Sequence, residues 1–387
     1  MLPVPAVAAT EAAAQRLGSL LCAALALPGV GGAAEMDVVA GNGLVALRML
    51  SYRDRQDGLN RVRVDAPSLQ LQLPLAARWS VDASATRDSV SGASPRWHSA
   101  ISGASRLRDN RSAFDARFTH HGERDAWSLG GATSDEHDYE SRALSVEWRR
   151  SSEDNNRTIS LSASHARDRI GSSDDPTLHE RRRSSSIGAA LTQVLSPVDV
   201  AQASLTHTRG RGFFGDPYKA LDSRPDRREQ TTLLLRWNHH AAAWAATLRT
   251  QWRVYRDSFG VQAHTLGADW VQALGERWLL TPSLRVHTQS AARFYADPVY
   301  DPRFGEPFPP GYLDQRPQHL SLDHRLSAFG ALTLGLKLEA RFGRQWSADL
   351  RVDRYEQRSG WRIGGPGSPG LAPLRARWVQ AGLVYRF

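Results

Sequence analysis

The sequence predicts an all-β fold, namely a transmembrane antiparallel up-and-down β-barrel of about 16 strands with short periplasmic turns and long outer loops. Apolar and polar residues alternate along most of the chain, which is the period of a β-strand. After residue 34 the unbroken apolar stretches are only a few residues long, whereas a membrane-spanning helix needs about 20 apolar residues. The content of Trp, Ser, Thr, Gly and Arg also favours strands. These observations exclude a helical membrane protein and favour a barrel.

The N-terminal segment has the features of a secretory signal peptide. Arg16 precedes the apolar run 17–27, and the small residues at 31–34 provide a cleavage site after Ala34. A single N-terminal helix that is retained as an anchor is the alternative. We therefore predict a cleaved signal peptide at 1–34, a short periplasmic segment at 35–42 and one transmembrane barrel domain at 43–387.

The charge balance argues against a nucleic-acid partner. The 387 residues include 49 Lys plus Arg against 40 Asp plus Glu, and nearly all the positive residues are arginines scattered among acids. The one cysteine, Cys22, lies in the predicted signal peptide. The mature chain would then form no disulfide and bind no metal through a thiolate.

The clearest strand pattern covers residues 320–342, where the even positions carry mainly apolar residues and the residues Asp323, Arg325, Lys337, Glu339 and Arg341 stand on odd positions. This arrangement suits a strand with one side in lipid and the other in a wet lumen. A hairpin inside this range would make the strand number odd, so we predict one unbroken strand. The predicted strands are 43–52, 61–73, 75–86, 112–121, 125–134, 141–150, 157–168, 184–195, 199–208, 229–238, 243–256, 261–273, 277–289, 320–342, 345–357 and 373–387. The predicted long outer loops are 87–111, 169–183, 209–228, 290–319 and 358–372.

The C-terminal residues alternate up to a terminal aromatic ring. Leu383, Tyr385 and Phe387 resemble the assembly signal of Gram-negative outer-membrane barrels, which predicts recognition by the barrel-assembly machinery. An ordinary edge strand that ends by chance in Phe is the alternative.

Five tryptophans recur within a few residues after predicted periplasmic turns. An indole is apolar but carries one N–H that needs water or a lipid headgroup, so such a row predicts an interfacial aromatic belt. Packing inside a soluble sandwich is the alternative. The five are Trp79, Trp127, Trp244, Trp278 and Trp346.

Five segments carry a resemblance to a known family: 51–62, the repeated Ser-Gly-Ala-Ser at 91–94 and 102–105, 289–295, and 323–330. On these segments the chain resembles the bacterial domain-of-unknown-function 3570 family over nearly all of its mature length. The resemblance implies an outer-membrane barrel. It implies no biochemical role and no functional residues.

The alternation places a set of charged residues on the inner face of the barrel. A barrel of about 16 strands can leave an aqueous channel, and this lining would mildly favour anions. A lumen whose charges pair across strands and are covered by loops is the alternative. The lining candidates are Asp82, Asp115, Arg117, Arg236, Arg249, Arg253, Arg285, Asp323, Arg325, Lys337, Glu339, Arg341, Asp349, Arg351, Asp353 and Arg386.

The predicted loop 290–319 is rich in proline and aromatic residues. Proline stiffens a loop and aromatic rings need burial, which indicates a constriction, a plug or a cap over the outer mouth. A disordered outer loop is the alternative.

Other polar groups favour structural roles. The acidic groups at 135–140 and 174–175 could hold a divalent cation but more often form a solvated face. The arginines at 181–183 could meet lipid phosphates or solvent. The pairs His120 with His121 and His239 with His240 point to opposite faces of a strand, so each is a poor chelate.

The leading functional prediction is a pore or export channel for small solutes in the Gram-negative outer membrane. A non-conducting interaction or assembly barrel is the second hypothesis, and an outer-membrane hydrolase is the third. No signature selects a catalytic set, a cofactor site or a metal site. The expected partners are outer-membrane lipid, lipopolysaccharide, the barrel-assembly machinery and a small solute.

Overall fold

Sixteen antiparallel strands close into a barrel in which each strand pairs with its neighbours in sequence and β1 pairs with β16. The computed structural model describes residues 43–56, 59–94, 105–219, 221–297 and 317–387. The predicted signal peptide and periplasmic segment lie outside these residues. The strands are β1 Leu44–Gln56, β2 Leu59–Ala76, β3 Trp79–Ser94, β4 Ser105–His121, β5 Asp125–Asp135, β6 Tyr139–Ser151, β7 Arg157–Ile170, β8 Glu180–Ser196, β9 Asp199–Gly212, β10 Arg227–Ala241, β11 Ala246–Asp257, β12 Gln262–Leu274, β13 Trp278–Gln289, β14 Phe329–Phe342, β15 Trp346–Arg358 and β16 Leu374–Arg386. The predicted fold class and strand number are confirmed.

The two faces of the wall differ in polarity, as the alternation predicts. On β14, Leu334 is 53% exposed and Leu336 is 50% exposed, whereas the intervening Thr333 is only 7% exposed. Successive side chains of a strand point to opposite faces. The apolar side chains therefore cover the outside of the barrel, and the polar ones face its interior.

The connections divide the barrel into two unlike ends. At one end the strands are joined by turns of two to five residues, and Gly43 and Phe387 lie at the same end. We name this the turn end. The opposite end carries the longer connections, including 171–179, 213–226, 290–328 and 359–373, and is named the loop end. Among the described residues, no helix is long and apolar enough to cross a bilayer.

The predicted strand 320–342 is wrong over its first third. β14 begins at Phe329, and His324–Leu326 form a short 3-10 helix that is N-capped by Asp323. The side chain of Asp323 accepts a hydrogen bond from the backbone N–H of Arg325, which favours a turn over an extended strand. The alternation before Phe329 therefore reflects burial of leucines in a folded loop.

A charge on the outer face should be costly. Leu334→Arg is expected to lower the free energy of unfolding by about 2–4 kcal/mol, because the guanidinium would enter the hydrocarbon core. Urea unfolding in lipid vesicles measures this change. Lys337→Arg on the inner face of the same strand is the control and should change stability little. Equal costs for the two variants would contradict the assignment of faces.

Candidate functional site

The inner face carries charged side chains that pair along the wall. Arg351 Nε donates to Asp353 at 2.7 Å, and its Nη2 reaches Ser283 on β13 at 3.1 Å. Lys337 Nζ lies 3.0 Å from Glu339 on the same strand. These pairs agree with the alternative in which part of the lumenal charge is neutralised within the wall.

A glycine allows one of these pairs to form between non-adjacent strands. Arg48 on β1 reaches Asp349 on β15 at 3.2 Å, across the intervening strand β16. Gly382 lies between them, and a Cβ at this position would approach Asp349 Oδ1 to 2.6 Å. A larger residue here would therefore separate the ion pair.

Three interior arginines have no carboxylate partner in the part of the chain that the structure describes. Among the described residues, no carboxylate lies within 4.0 Å of Arg236, Arg253 or Arg285. Arg236 donates instead to Gln202 at 2.9 Å, and Arg253 lies over the ring of Tyr255. The middle of the lumen is therefore more cationic than the paired regions.

The remaining strand-borne candidates share the inner face. Arg249 lies opposite Asp269, Arg117 opposite Asp82, and Arg386 donates to Ser347 at 3.3 Å. The inner-face residues found on strands are Asp82, Asp115, Arg117, Arg236, Arg249, Arg253, Arg285, Lys337, Glu339, Arg341, Asp349, Arg351, Asp353 and Arg386.

Segments of two long connections pack together at the loop end. Ser223 and Leu320 exchange both backbone hydrogen bonds at 2.8 and 2.9 Å, and Ala292 N–H donates to the carbonyl of Leu326 at 2.8 Å. We name these segments the cap. The cap consists of residues 213–219, 221–226, 290–297 and 317–328. The predicted packing of loop 290–319 is observed for its described ends, and 298–316 lie outside the described residues.

The cap is attached to the inside of the wall. Gln289, the last residue of β13, donates from its Nε2 to the carbonyls of Arg325 at 3.0 Å and Ser327 at 2.8 Å. Ala328 N–H donates to Ser368 Oγ in the β15–β16 connection at 2.9 Å. Three connections are thereby joined to one another.

A buried ion-pair cluster lies at the centre of the cap. Arg224 Nη2 is 2.7 Å from Asp323 and 2.8 Å from Asp222. Arg325 donates from Nε to Asp323 at 2.6 Å and from Nη2 to Asp216 at 2.6 Å. The side chains of Arg224 and Asp323 are 1% and 0% exposed. Because burial removes hydration, each charge depends on its partners.

Asp323 and Arg325 were predicted to line the lumen from a strand, and this prediction is wrong. Both belong to the cap, where an Asx-type turn replaces the strand geometry. Sequence reasoning missed their partners Asp216, Asp222 and Arg224, which fall in the predicted loop 209–228. The alternation of acids and bases in that loop was the available signal, but nothing in it indicates pairing with residues about 100 positions away.

Burial and neighbouring charges shift the pKa values in the cap. Burial lowers the pKa of Lys219 to about 8, against the opposing attraction of Asp323. Burial and the nearby Arg61 hold the pKa of His324 well below its usual value. Burial is the largest influence on Asp323 and opposes its ionisation, but the charges of Arg325, Arg224 and Lys219 together outweigh burial and keep the pKa of Asp323 well below the ordinary range.

Apolar side chains cover part of the inner wall beside the cap. Tyr52 and Trp378 are fully buried, with ring centroids 6.3 Å apart. We name this group the interior apolar cluster. It comprises Leu50, Tyr52, Val62, Val64, Ala66, Phe329, Ala331, Tyr355, Leu371, Leu374, Ala376 and Trp378. The inner wall of the loop half is therefore apolar on these strands.

The sequence matches one family model almost from end to end. The model described as protein of unknown function (DUF3570) matches residues 17–107, 102–178 and 172–375. The chain belongs to the DUF3570 family. The resemblance inferred from the sequence segments is thus confirmed. No curated protein sequence matches this DUF3570 chain.

Solved structures share its fold at low sequence identity. A bacterial polysaccharide outer membrane secretin is 9% identical with a TM-score of 0.50, over 89% of this chain and 98% of that one. The siderophore receptor PirA from Pseudomonas aeruginosa is 13% identical with a TM-score of 0.46, over 86% of this chain. CdiB from Acinetobacter baumannii is 10% identical with a TM-score of 0.48, over 87% of this chain. The DUF3570 chain spans 61% of the PirA chain and 60% of the CdiB chain. The likeness to the secretin, whose TM-score reaches 0.50, shows that the DUF3570 barrel shares the fold of that outer-membrane protein.

The five tryptophans of the predicted belt lie at the turn end of the DUF3570 barrel. Trp79, Trp278 and Trp346 begin their strands, and all five are exposed. Trp127 contacts Trp148, and Trp244 contacts Trp270, with ring centroids 6.2 and 5.4 Å apart. The five indoles thus share one end of the barrel, and their role as an interfacial belt stays a prediction.

The C-terminal residues close the barrel seam. Gly43 N–H donates to the Phe387 carbonyl at 2.7 Å, and Phe387 N–H donates back at 3.0 Å. The Phe387 ring stacks with Tyr385 and lies against Gly43, where a Cβ would come within 2.5 Å of the ring. Leu383, two residues before Tyr385, is exposed on the outer face.

The histidine pairs of the DUF3570 chain divide between separate partners. His120 packs on Trp79, whereas His121 Nε2 lies 2.9 Å from Ser80 Oγ. His239 and His240 likewise contact Asp199 and Thr247. Among the described residues, no group of three or more His, Cys, Asp or Glu is arranged to hold a metal ion.

One Ser–His pair lies on the outer face. Ser185 Oγ is 2.9 Å from His165 Nδ1, but Arg167 Nε lies 3.5 Å from the other ring nitrogen. A catalytic histidine of the triad type needs a carboxylate at that nitrogen to stabilise the imidazolium. A guanidinium there has the opposite effect, so this pair does not form a triad.

Proposed function

We propose that this chain is an outer-membrane channel for small solutes that is closed at its loop end by the cap. The observation that carries the proposal is the buried ion-pair cluster, which joins two long connections inside the mouth of a closed barrel. Burying five charged side chains costs free energy unless each of them is held beside a partner of opposite charge. The cluster therefore indicates that the two connections have a defined position in the barrel. Outer-membrane barrels have short periplasmic turns and longer outer loops, so the turn end is assigned to the periplasm.

The interior charge favours an anionic solute. Arg236, Arg253 and Arg285 face the lumen without a carboxylate within 4.0 Å among the described residues. Rings of arginine favour anions in pores. We expect a reversal potential that indicates a modest preference for chloride over potassium.

Planar-bilayer recording with a lockable cap tests the proposal. Ser223→Cys with Leu320→Cys places two thiols at a hydrogen-bonded antiparallel pair, whose Cα separation of about 5.5 Å permits a disulfide. Cys22→Ser removes the only other thiol. We expect rare openings in the wild type, none in the oxidised variant, and wild-type openings after reduction. Openings that are unchanged by oxidation would contradict a gating role for the cap.

Acid should weaken the cap. In the closed cap the pKa of His324 is well below its usual value, and in an open cap it returns to about 6.5. The open state then binds more protons, so closure is stable above pH about 6.5 and is progressively lost below it. Lys219, with a pKa of about 8 when buried, acts in the same direction between about 8 and 10.4. Asp323 adds a further loss only below its ordinary value of about 3.9.

Open probability measured from pH 8 to pH 5 checks this pH dependence. We expect it to rise below pH about 6.5 in the wild type and to stay nearly flat in His324→Gln. His137→Gln, at an exposed loop-end position, is the matched control. A wild-type rise that persists in His324→Gln would exclude His324 as its source.

A non-conducting interaction barrel is the second candidate function. The interior apolar cluster favours it, because buried apolar side chains on the inner wall obstruct a wet path. A correctly folded barrel that stays silent in every cap state would support this function and refute the channel.

A further inference from the structure

Five outward-facing arginines stand side by side at the loop end. Arg142 lies opposite Arg167, Arg167 opposite Arg183, Arg183 opposite Arg211, and Arg211 opposite Arg227. They occupy five adjacent strands, β6 to β10, and all are exposed. We name them the arginine row. Like charges directly opposite on neighbouring strands are destabilising, so the row needs compensating anions.

The chain itself supplies few of these anions. Arg142 pairs with Glu140, which also binds Arg169 at 2.7 Å. Among the described residues, no carboxylate lies within 4.0 Å of the other four arginines of the row. The four without a carboxylate are Arg167, Arg183, Arg211 and Arg227.

A second row has the same construction on the other side of the barrel. Arg354 on β15 lies opposite Arg377 on β16, which lies opposite Arg53 on β1 and then Arg63 on β2. Arg63 pairs with an acid of its own strand, Asp65, at 2.7 Å, whereas no carboxylate in the described part of the chain lies within 4.0 Å of Arg53, Arg354 or Arg377. Rows of exposed arginines therefore occur near the loop end on two separate groups of strands, β6 to β10 and β15, β16, β1 and β2.

The arginine row borders the apolar band of the outer face. Leu144 lies two residues from Arg142 toward the turn end, and Ile187 lies four residues from Arg183 in the same direction. Both side chains are strongly exposed. The exposed tryptophans lie beyond this band at the opposite end. In a membrane, the rows therefore lie where the phosphate groups of the outer leaflet begin.

We propose that the two arginine rows bind the phosphate groups of the anionic glycolipid of the outer leaflet, lipopolysaccharide. Guanidinium groups form bidentate charge-assisted hydrogen bonds with phosphate. Neighbouring strands lie about 4.8 Å apart, so the first row extends roughly 19 Å along the wall, enough for several phosphates. The proposal rests on the outer-membrane placement and is independent of conduction.

The test uses the full-length protein in mild detergent and native mass spectrometry with bisphosphorylated lipid A as the probe. The variant changes Arg167, Arg183, Arg211 and Arg227 to Gln. We expect its affinity for lipid A to fall about tenfold or more, which corresponds to about 1.4 kcal/mol. The wild type should show a similar loss with dephosphorylated lipid A of the same acyl chains. Inorganic phosphate at millimolar concentration should not compete, because it lacks the acyl chains.

A control variant removes the same charge from the turn end. It changes the exposed residues Arg78, Arg157, Arg277 and Arg344 to Gln and should bind lipid A like the wild type. Equal affinity of the row variant and the wild type, or equal binding of dephosphorylated lipid A, would overturn the proposal. Competition by inorganic phosphate would reduce the rows to an unspecific anion site and would also overturn it.

Two comparisons still test the lipid site if the Gln variant does not assemble. The comparison of lipid A with its dephosphorylated form needs only the wild type. The corresponding Arg→Lys variant keeps the charge and should retain most of the affinity. A barrel that conducts no current but binds lipid A in this pattern would refute the channel and leave the lipid site intact.

Discussion

The Asp323→Asn variant is expected to lose about 3–5 kcal/mol of cap stability, because it leaves buried guanidinium charge without compensation. Asp323 accepts from both Arg224 and Arg325, and its side chain is fully buried. Asn has nearly the same shape, so packing is preserved and the change is electrostatic. Hydrogen exchange of the backbone amides at 317–328 measures the opening free energy of the cap directly.

A second substitution separates charge imbalance from general disruption. Adding Arg224→Gln to Asp323→Asn removes one of the two guanidinium groups that lose a carboxylate partner in Asp323→Asn. The double variant should therefore recover part of the lost cap stability. Glu153→Gln breaks an exposed pair with Arg124 at the turn end and should change cap exchange by no more than about 1 kcal/mol. Faster exchange in the double variant than in Asp323→Asn would contradict the ion-pair explanation.

The same variant connects stability with function. If the cap is the gate, Asp323→Asn should conduct more often than the wild type at pH 7, and exchange and open probability should rise together. Rapid exchange without added current would show that the cap opens onto an obstructed lumen. The interior apolar cluster would then be the next barrier to examine.

The barrel could be predicted from sequence because its pattern is local. Alternation along β14 and β15 assigns a face to each residue without knowledge of its neighbours, so Lys337 and Arg351 fall on the face that the sequence indicates. Strand ends were less accurate at the loop end, where β3 and β4 continue into the predicted loop 87–111. There the residues of both faces are mostly polar, so the alternation fades.

The cap could not be predicted because its order is non-local. Arg224 pairs with Asp323 although the two are 99 positions apart, and nothing in the sequence near either residue indicates the pairing. The leucines at 320, 322 and 326 gave a false strand because burial in a folded loop can imitate period two over a short range. The sequence indicated Arg183 as a possible contact of lipid phosphates but not the rows, since the register of β6 to β10 brings together residues from separate parts of the chain.

Phe387→Ala is expected to abolish most assembly into the outer membrane while leaving the folded barrel nearly as stable as the wild type. The ring is 49% exposed and the seam is held by backbone hydrogen bonds with Gly43, so its removal costs the folded state little. A large defect in cells would then arise from recognition by the assembly machinery, which is our proposal for Leu383, Tyr385 and Phe387. The heat-modifiable electrophoretic mobility of the refolded barrel measures its stability. The level of the protein in outer-membrane fractions measures its assembly in cells.

Phe342→Ala supplies the comparison that isolates recognition. Phe342 ends β14 at the same turn end and is 55% exposed, so the two variants lose the same side chain from similar surroundings. Normal outer-membrane levels of Phe342→Ala beside strongly reduced levels of Phe387→Ala would assign the effect to the C-terminal position. Equal outer-membrane levels of Phe342→Ala and Phe387→Ala would contradict an assembly role for Phe387. A loss of stability of the refolded Phe387→Ala barrel as large as its loss of assembly would show that the ring acts through packing at the seam. Because refolding in vitro bypasses the machinery, a defect confined to cells has only the recognition explanation.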